Sequence, residues 1–334
     1  MKPDNSYNPR RFAGLSEVTQ HTKSDSIAFA RLHADLEKVY ALSSVLDYPF
    51  TIDEVTNYFL PNENLSGPQL KLLITTGNFA DIPFQIQNGY LFTKPSQSEN
   101  SLLERGEIST AKLESAARFA GILSRLGPFI RTVAVTGSVA YGCARKWDDI
   151  DLFLVTQKNR LWTSLLMALL VVRAYKLLGL AAPHLMSFCL SYVHDQDGFK
   201  KEAMRNQVNP LFARELLKAK PVIGEAEYRR ILQENDWVGR MYPKPYASKL
   251  SGLGDNSNRP ASASWSLPAL ILDWTEFVIY ALLSRYLKLR AYLTNLRLKS
   301  ERSELRIFEP SISPNSCVYT SNFYKWLHAL WGEI

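Results

Sequence analysis

The chain has 334 residues, enough for a large core and two or three domains. Its 46% apolar and 21% charged content is that of an ordinary globular protein, which excludes a disordered or low-complexity chain. A net charge of +7 suits a phosphate-bearing partner but serves solubility equally, and three scattered cysteines (Cys143, Cys189 and Cys317) argue against a disulfide framework or a zinc site and for a reducing cytosol.

Residues 1–24 read as a loosely ordered start without the apolar core of a signal peptide, so a cytoplasmic location is expected. Residues 25–97 then offer three helices and a hairpin. Ile27, Leu32, Leu36, Val39 and Leu42 recur at helical intervals, and Thr51 with Glu54 has the spacing of a capping box. Gly77 stands where a third helix should stop, and Asn88-Gly89 between two β-prone runs signals a two-residue hairpin turn. This is the order of a winged helix-turn-helix; a small helical cap with a hairpin packed on the next domain is the alternative. The third helix carries only Lys71, so DNA binding is not expected of it.

Residues 98–200 form the next unit. A long helix is expected over 99–127, with Ser109 as an internal restart, followed by the strand FIRTVAVTG. The apolar run at 161–180 is too short for a membrane span because Arg173 and Lys176 interrupt it, and it reads as a buried helix. HLMSFCLSYV looks like another strand. A charged helical extension is expected over 201–247, a Ser/Asn/Gly/Pro-rich linker over 248–265, and a helical C-terminal region over 266–334. Within that last region Arg285, Lys288, Arg290, Arg297 and Lys299 lie on one long helix.

The stretch TGSVAYGCARKWDDIDLFLV, residues 136–155, carries the chemistry. Strand side chains alternate, so Asp149 and Asp151 share a face, where two carboxylates repel and are costly to bury. A divalent cation relieves both penalties, and magnesium is commonly held by one or two carboxylates together with substrate phosphates. Upstream, Gly137-Ser138 ends an apolar strand and opens a short helix. A glycine there admits the backbone to a phosphate, and the Ser138 hydroxyl can donate to it.

Strand, Gly-Ser, short helix and Asp-x-Asp strand together resemble the DNA polymerase β-like nucleotidyltransferase superfamily. More broadly, the layout is similar to a bacterial group of nucleotidyltransferase-domain proteins with an N-terminal winged-helix-like region and a helical C-terminal part. The resemblance implies an α+β fold with a small mixed sheet flanked by helices. It also implies Mg2+ (or Mn2+) at Asp149 and Asp151, and Gly137 and Ser138 on a nucleoside triphosphate such as ATP. The acceptor of the nucleoside monophosphate is open: a small molecule, a protein side chain or an RNA end.

The superfamily usually has a third carboxylate on a later strand. Here SFCLSYV has none, and Cys189 and Ser191 are expected to face the acidic pair. Asp195 is the candidate third acid, with Asp197 close behind. If neither reaches the pair, a non-catalytic nucleotide-binding or DNA-binding regulatory protein is the alternative. His21, His33, His184, His194 and His328 show no metal-ligand spacing, Cys143 has no visible partner, and Trp147 is expected to pack. Lys218, Lys220, Arg229 and Arg230 read as a solvated helix face or as contacts to an acidic acceptor.

Overall fold

The computed structural model describes residues 23–331 apart from 61–64, 78, 95–96, 180–181, 183–184, 186, 255–267 and 302–303. The expectations for residues 1–22, His21, His184 and most of the 248–265 linker lie outside these residues.

The N-terminal unit begins with α1 (Lys23–Leu46), whose Leu32, Leu36, Val39 and Leu42 are buried on one stripe. A two-residue strand β1 (Phe50–Thr51) leads into the short helix α2 (Ile52–Glu54), continued by a wider turn over Val55–Phe59. Thr51 and Glu54 form the expected capping box, with the Glu54 amide donating to Thr51 Oγ1 at 3.0 Å. Helix α3 (Gly67–Thr75) precedes β2 (Gln85–Gln87) and β3 (Tyr90–Phe92), which turn at Asn88-Gly89 with both φ angles positive. The sheet order is β1-β3-β2. β1 was not legible in the sequence because its two residues carry no alternation.

Helix α4 (Glu99–Leu126) runs without interruption. Ser109 does not restart it: its hydroxyl donates back to the Arg105 carbonyl at 2.7 Å and receives the Ala144 amide at 3.0 Å. The chain then lays down β4 (Ile130–Thr136), the five-residue helix α5 (Gly137–Tyr141), β5 (Ile150–Thr156), α6 (Leu161–Leu177) and β6 (Phe188–Asp195). Asp149 precedes the first paired residue of β5 rather than lying within it.

The segment 201–247, read as a mostly helical extension, contributes a strand. Helices α7 (Gln196–Arg205) and α8 (Pro210–Lys218) are followed by β7 (Lys220–Ile223), then α9 (Glu225–Glu234), α10 (Trp237–Met241) and α11 (Pro243–Gly252). Residues 248–252, assigned to the linker, continue α11. The C-terminal region is likewise not all helical. After α12 (Ala269–Ser300), the hairpin β8 (Phe308–Ser313) and β9 (Ser316–Ser321) joins the main sheet before α13 (Asn322–Trp331).

The main sheet therefore has six strands in the order β7-β4-β5-β6-β9-β8, with β5 and β6 parallel and the other neighbours antiparallel. Ile150, Leu152 and Leu154 face one core with α4 and α6, while Phe153 and Val155 face a second under α7, α8 and α9. Glu276 of α12 stitches the helical layer together: its carboxylate accepts the Thr163 amide at 2.9 Å and the Trp162 amide at 2.5 Å, capping the start of α6. No helix among the described residues is long and apolar enough to cross a membrane.

Candidate active site

The sequence places Gly137-Ser138 and Asp149–Asp151 twelve residues apart; the β4–β5 pairing brings them together. Thr136 sits opposite Asp151, so the end of β4 and the start of β5 meet at one edge of the sheet. Gly137 has φ +62°, and a Cβ added there would overlap Asp151 Oδ2. Glycine is therefore required twice over, by the backbone and by the acid beside it. Gly142, also at positive φ, closes α5 with its amide on the Ser138 carbonyl.

Asp149 and Asp151 occupy unequal environments. Asp149 is exposed and accepts a hydrogen bond from Ser187 just before β6. Asp151 is half-buried, and its carboxyl is pushed up to about 7, first by desolvation and then by the Asp149 charge. Cys189 lies opposite Asp151 on β6, as expected, and its thiol hydrogen bond partly offsets that rise. A register shift between Asp151 and Phe153 then breaks the alternation, and Tyr192 rather than Ser191 stands opposite Phe153.

The family model of the nucleotidyltransferase domain matches residues 116–223, from within α4 to the end of β7. That match spans about a third of the chain. This agrees with the polymerase β-like resemblance of residues 136–155. No curated protein and no solved structure matches the chain.

Within the matched segment, Asp195 does not reach the acidic pair. It pairs with Thr156 at the far end of β5, about 16 Å along the strand from Asp151 at 3.3 Å per residue. Its carboxylate is fully committed there. It accepts the Gly198 amide at 2.7 Å as the cap of α7, the Asn159 amide at 2.9 Å and the Asn315 side-chain amide at 2.7 Å. Asp197 is half-buried and paired with Lys158 at 2.8 Å. Among the described residues Asp149 and Asp151 belong to no three-ligand cluster of His, Cys, Asp or Glu with all ligand atoms within 4.8 Å. His33, Glu37 and Asp81 in the N-terminal unit do form such a cluster, with His33 Nε2 2.7 Å from Asp81 Oδ2.

The acid that sequence reasoning missed is Glu215 on α8. It lies close enough to Asp151 to raise that carboxyl further, and burial raises its own. Tyr141 of α5 donates to Glu215 Oε1 at 2.9 Å, tying α8 to the helix that follows the Gly-Ser turn. The available signal was a charged pair, Arg214-Glu215, set among Leu211, Phe212, Leu216 and Leu217, all buried.

Lys112 was also missed. This α4 lysine is fully buried, and its ammonium donates to the carbonyls of Arg145, Lys146 and Asp148. It thereby holds the loop that delivers Asp149. Asp148 shares that work by accepting the Arg145 amide at 2.8 Å. Trp147 does not pack as expected: it is 70% exposed on the same loop, with the Arg145 guanidinium over its ring. Cys143 is buried and its thiol is pushed up to about 12, first by desolvation, which removes it as a nucleophile.

The basic residues read as a solvated helix face or as acceptor contacts are mostly engaged. Lys218 pairs with Glu54 at 2.8 Å, Arg230 with Glu227 at 2.6 Å, and Arg229 donates to the Leu253 carbonyl. Lys220 differs, because it pairs with Val135 at the site end of β4. Lys249 is pulled down to about 8 by burial and by Lys220 and Lys218, so three ammonium groups gather near that end.

Proposed function

We propose that this protein transfers a nucleoside monophosphate from a nucleoside triphosphate to an acceptor, with Gly137 and Ser138 at the phosphates and Asp149 and Asp151 holding magnesium or manganese. The observation that carries this reading is Asp151 packed against Gly137 of the Gly-Ser turn, its carboxyl raised to about 7 by burial and then by the Asp149 charge. The donor set fits a hard cation, because its charged groups are carboxylates and the adjacent Ser187 offers a further oxygen. A divalent ion there would offset charge on the reacting phosphate.

The chain's own residues orient the reactants. Gly137 lets the backbone approach the triphosphate, Ser138 supplies a hydroxyl donor, and Lys220 and Lys249 add positive charge at the same sheet end. Lys112 fixes the loop on which Asp149 stands. The acceptor hydroxyl oxygen bonds to the α-phosphorus as its proton passes to solvent, and the bond to the bridging oxygen of the β-phosphate breaks, releasing pyrophosphate. The acceptor class is open among a small molecule, a protein and an RNA end.

Cys189 in the place of an acid supports a second reading, a nucleotide-binding protein without turnover. The N-terminal unit, with its helix–strand–helix–helix–hairpin order, supports a winged-helix-like shape. Its α3 offers Lys71 as its single cation, which speaks against DNA reading.

One experiment separates these readings. The protein is incubated with magnesium, each labelled triphosphate and cell extract, beside the Asp149→Asn/Asp151→Asn double variant. Pyrophosphate release and a labelled product lost in the variant are expected. Metal-dependent nucleotide binding without product favours the second reading, and absence of any metal-dependent binding overturns both.

A further inference from the structure

Helix α12 presents two apolar faces. Leu272, Leu287 and Ala291 are buried on the side that packs against the domain. The opposite side carries Leu282, Tyr286, Leu289, Leu293 and Leu296, each between 47% and 65% exposed. At 100° per residue these five fall within an arc of about 80°. Leu270, Trp274 and Phe277, nearer the helix start, are exposed as well but lie about 40–100° outside that arc. Such a face on a helix is a surface awaiting a partner.

The charges say which partner. From Ile279 to Ser300 the helix contains Arg285, Lys288, Arg290, Arg297 and Lys299 and no acid. On the helical wheel Lys288, Lys299 and Arg285 flank one side of the apolar arc, and Arg290 and Arg297 the other. Arg297 reaches Glu301 beyond the helix end; the other four cations project from exposed positions. Two copies paired through this face would oppose cations on both rims, which disfavours a dimer. A nucleic acid would take the cations but leave the leucines in water.

We propose that this face of α12 docks on an anionic lipid bilayer. The leucines and Tyr286 enter the boundary between headgroups and acyl chains, and the flanking lysines and arginines meet the lipid phosphates. The helix lies along the surface, which agrees with its failure to qualify as a span. The inference stands on α12 alone and does not depend on the nucleotidyl-transfer reading.

The test is cosedimentation of the full chain with vesicles of phosphatidylcholine alone and with vesicles that also carry phosphatidylglycerol. Preferential binding to the anionic vesicles is expected. Both Leu289→Ser/Leu293→Ser and Lys288→Glu/Arg290→Glu should weaken it about tenfold or more, at unchanged melting temperature because these positions are exposed. Wild-type protein that stays in the supernatant overturns the proposal, as do variants that bind equally. Light scattering that shows a dimer dissolved by Leu289→Ser/Leu293→Ser assigns the face to a second copy and also overturns it. RNA binding lost in Lys288→Glu/Arg290→Glu but kept in the leucine variant, without vesicle binding, does the same.

Discussion

Gly137 lies so close to the Asp151 carboxylate that a single added carbon on Gly137 would overlap Oδ2. The turn proposed for phosphate and the acid proposed for a metal are thus one packed unit. Gly137→Ala displaces Asp151 and also strains a residue at φ +62°. It is expected to abolish the thermal shift produced by magnesium with a triphosphate. An unchanged shift, read by differential scanning fluorimetry, would separate the two residues functionally.

Asp151→Asn removes a charge that desolvation and Asp149 both oppose, while keeping the side chain's shape. The metal-free variant is expected to melt at or above the wild-type temperature at pH 8 and to lose its response to magnesium. A lower melting temperature would show that the ionised carboxylate stabilises the fold.

Asp195 should behave in the opposite way. Asp195→Ala removes three hydrogen bonds to a buried carboxylate, one of them the cap of α7, at a cost on the order of 3 kcal/mol. Urea midpoints check this. A variant as stable as wild type but without turnover would return Asp195 to the site.

Lys112→Met leaves the carbonyls of Arg145, Lys146 and Asp148 without their shared donor. A loss of roughly 1–3 kcal/mol is expected, together with weaker metal response, because the loop before Asp149 loses its anchor. Full metal response at reduced stability would confine the lysine to folding.

His194 sets the acid limit of one part of the core. Its ring is buried with neither nitrogen hydrogen-bonded among the described residues, and desolvation lowers its pKa to about 3. The unfolded chain takes up this proton near pH 6.5 and the folded chain only near 3. Stability present above 6.5 is therefore lost as pH falls toward 3, by up to about tenfold in the folding constant per pH unit. His194→Leu should flatten that dependence while matching wild type at pH 8. Equal acid slopes in urea titrations at several pH values would refute it.

What the sequence by itself determined about this protein is its local grammar. The Thr51/Glu54 capping box, the Asn88-Gly89 turn, the helix over 99–126 and the Gly-Ser to Asp-x-Asp order each depend on residues a few positions apart, and periodicity or backbone geometry exposes them. Only the tertiary structure decided which distant groups meet. It moved Asp195 to the far end of β5, because a parallel partner strand carries its C-terminus away from the site, and it brought Glu215 in from α8. It recruited β7 and the β8–β9 hairpin into the main sheet, since a short strand acquires its hydrogen bonds from neighbours that lie far off in the chain. Burial is likewise a property of the assembled fold. Trp147 stands in solvent and Lys112 in the interior because loops and helices that are remote in sequence pack around one and away from the other.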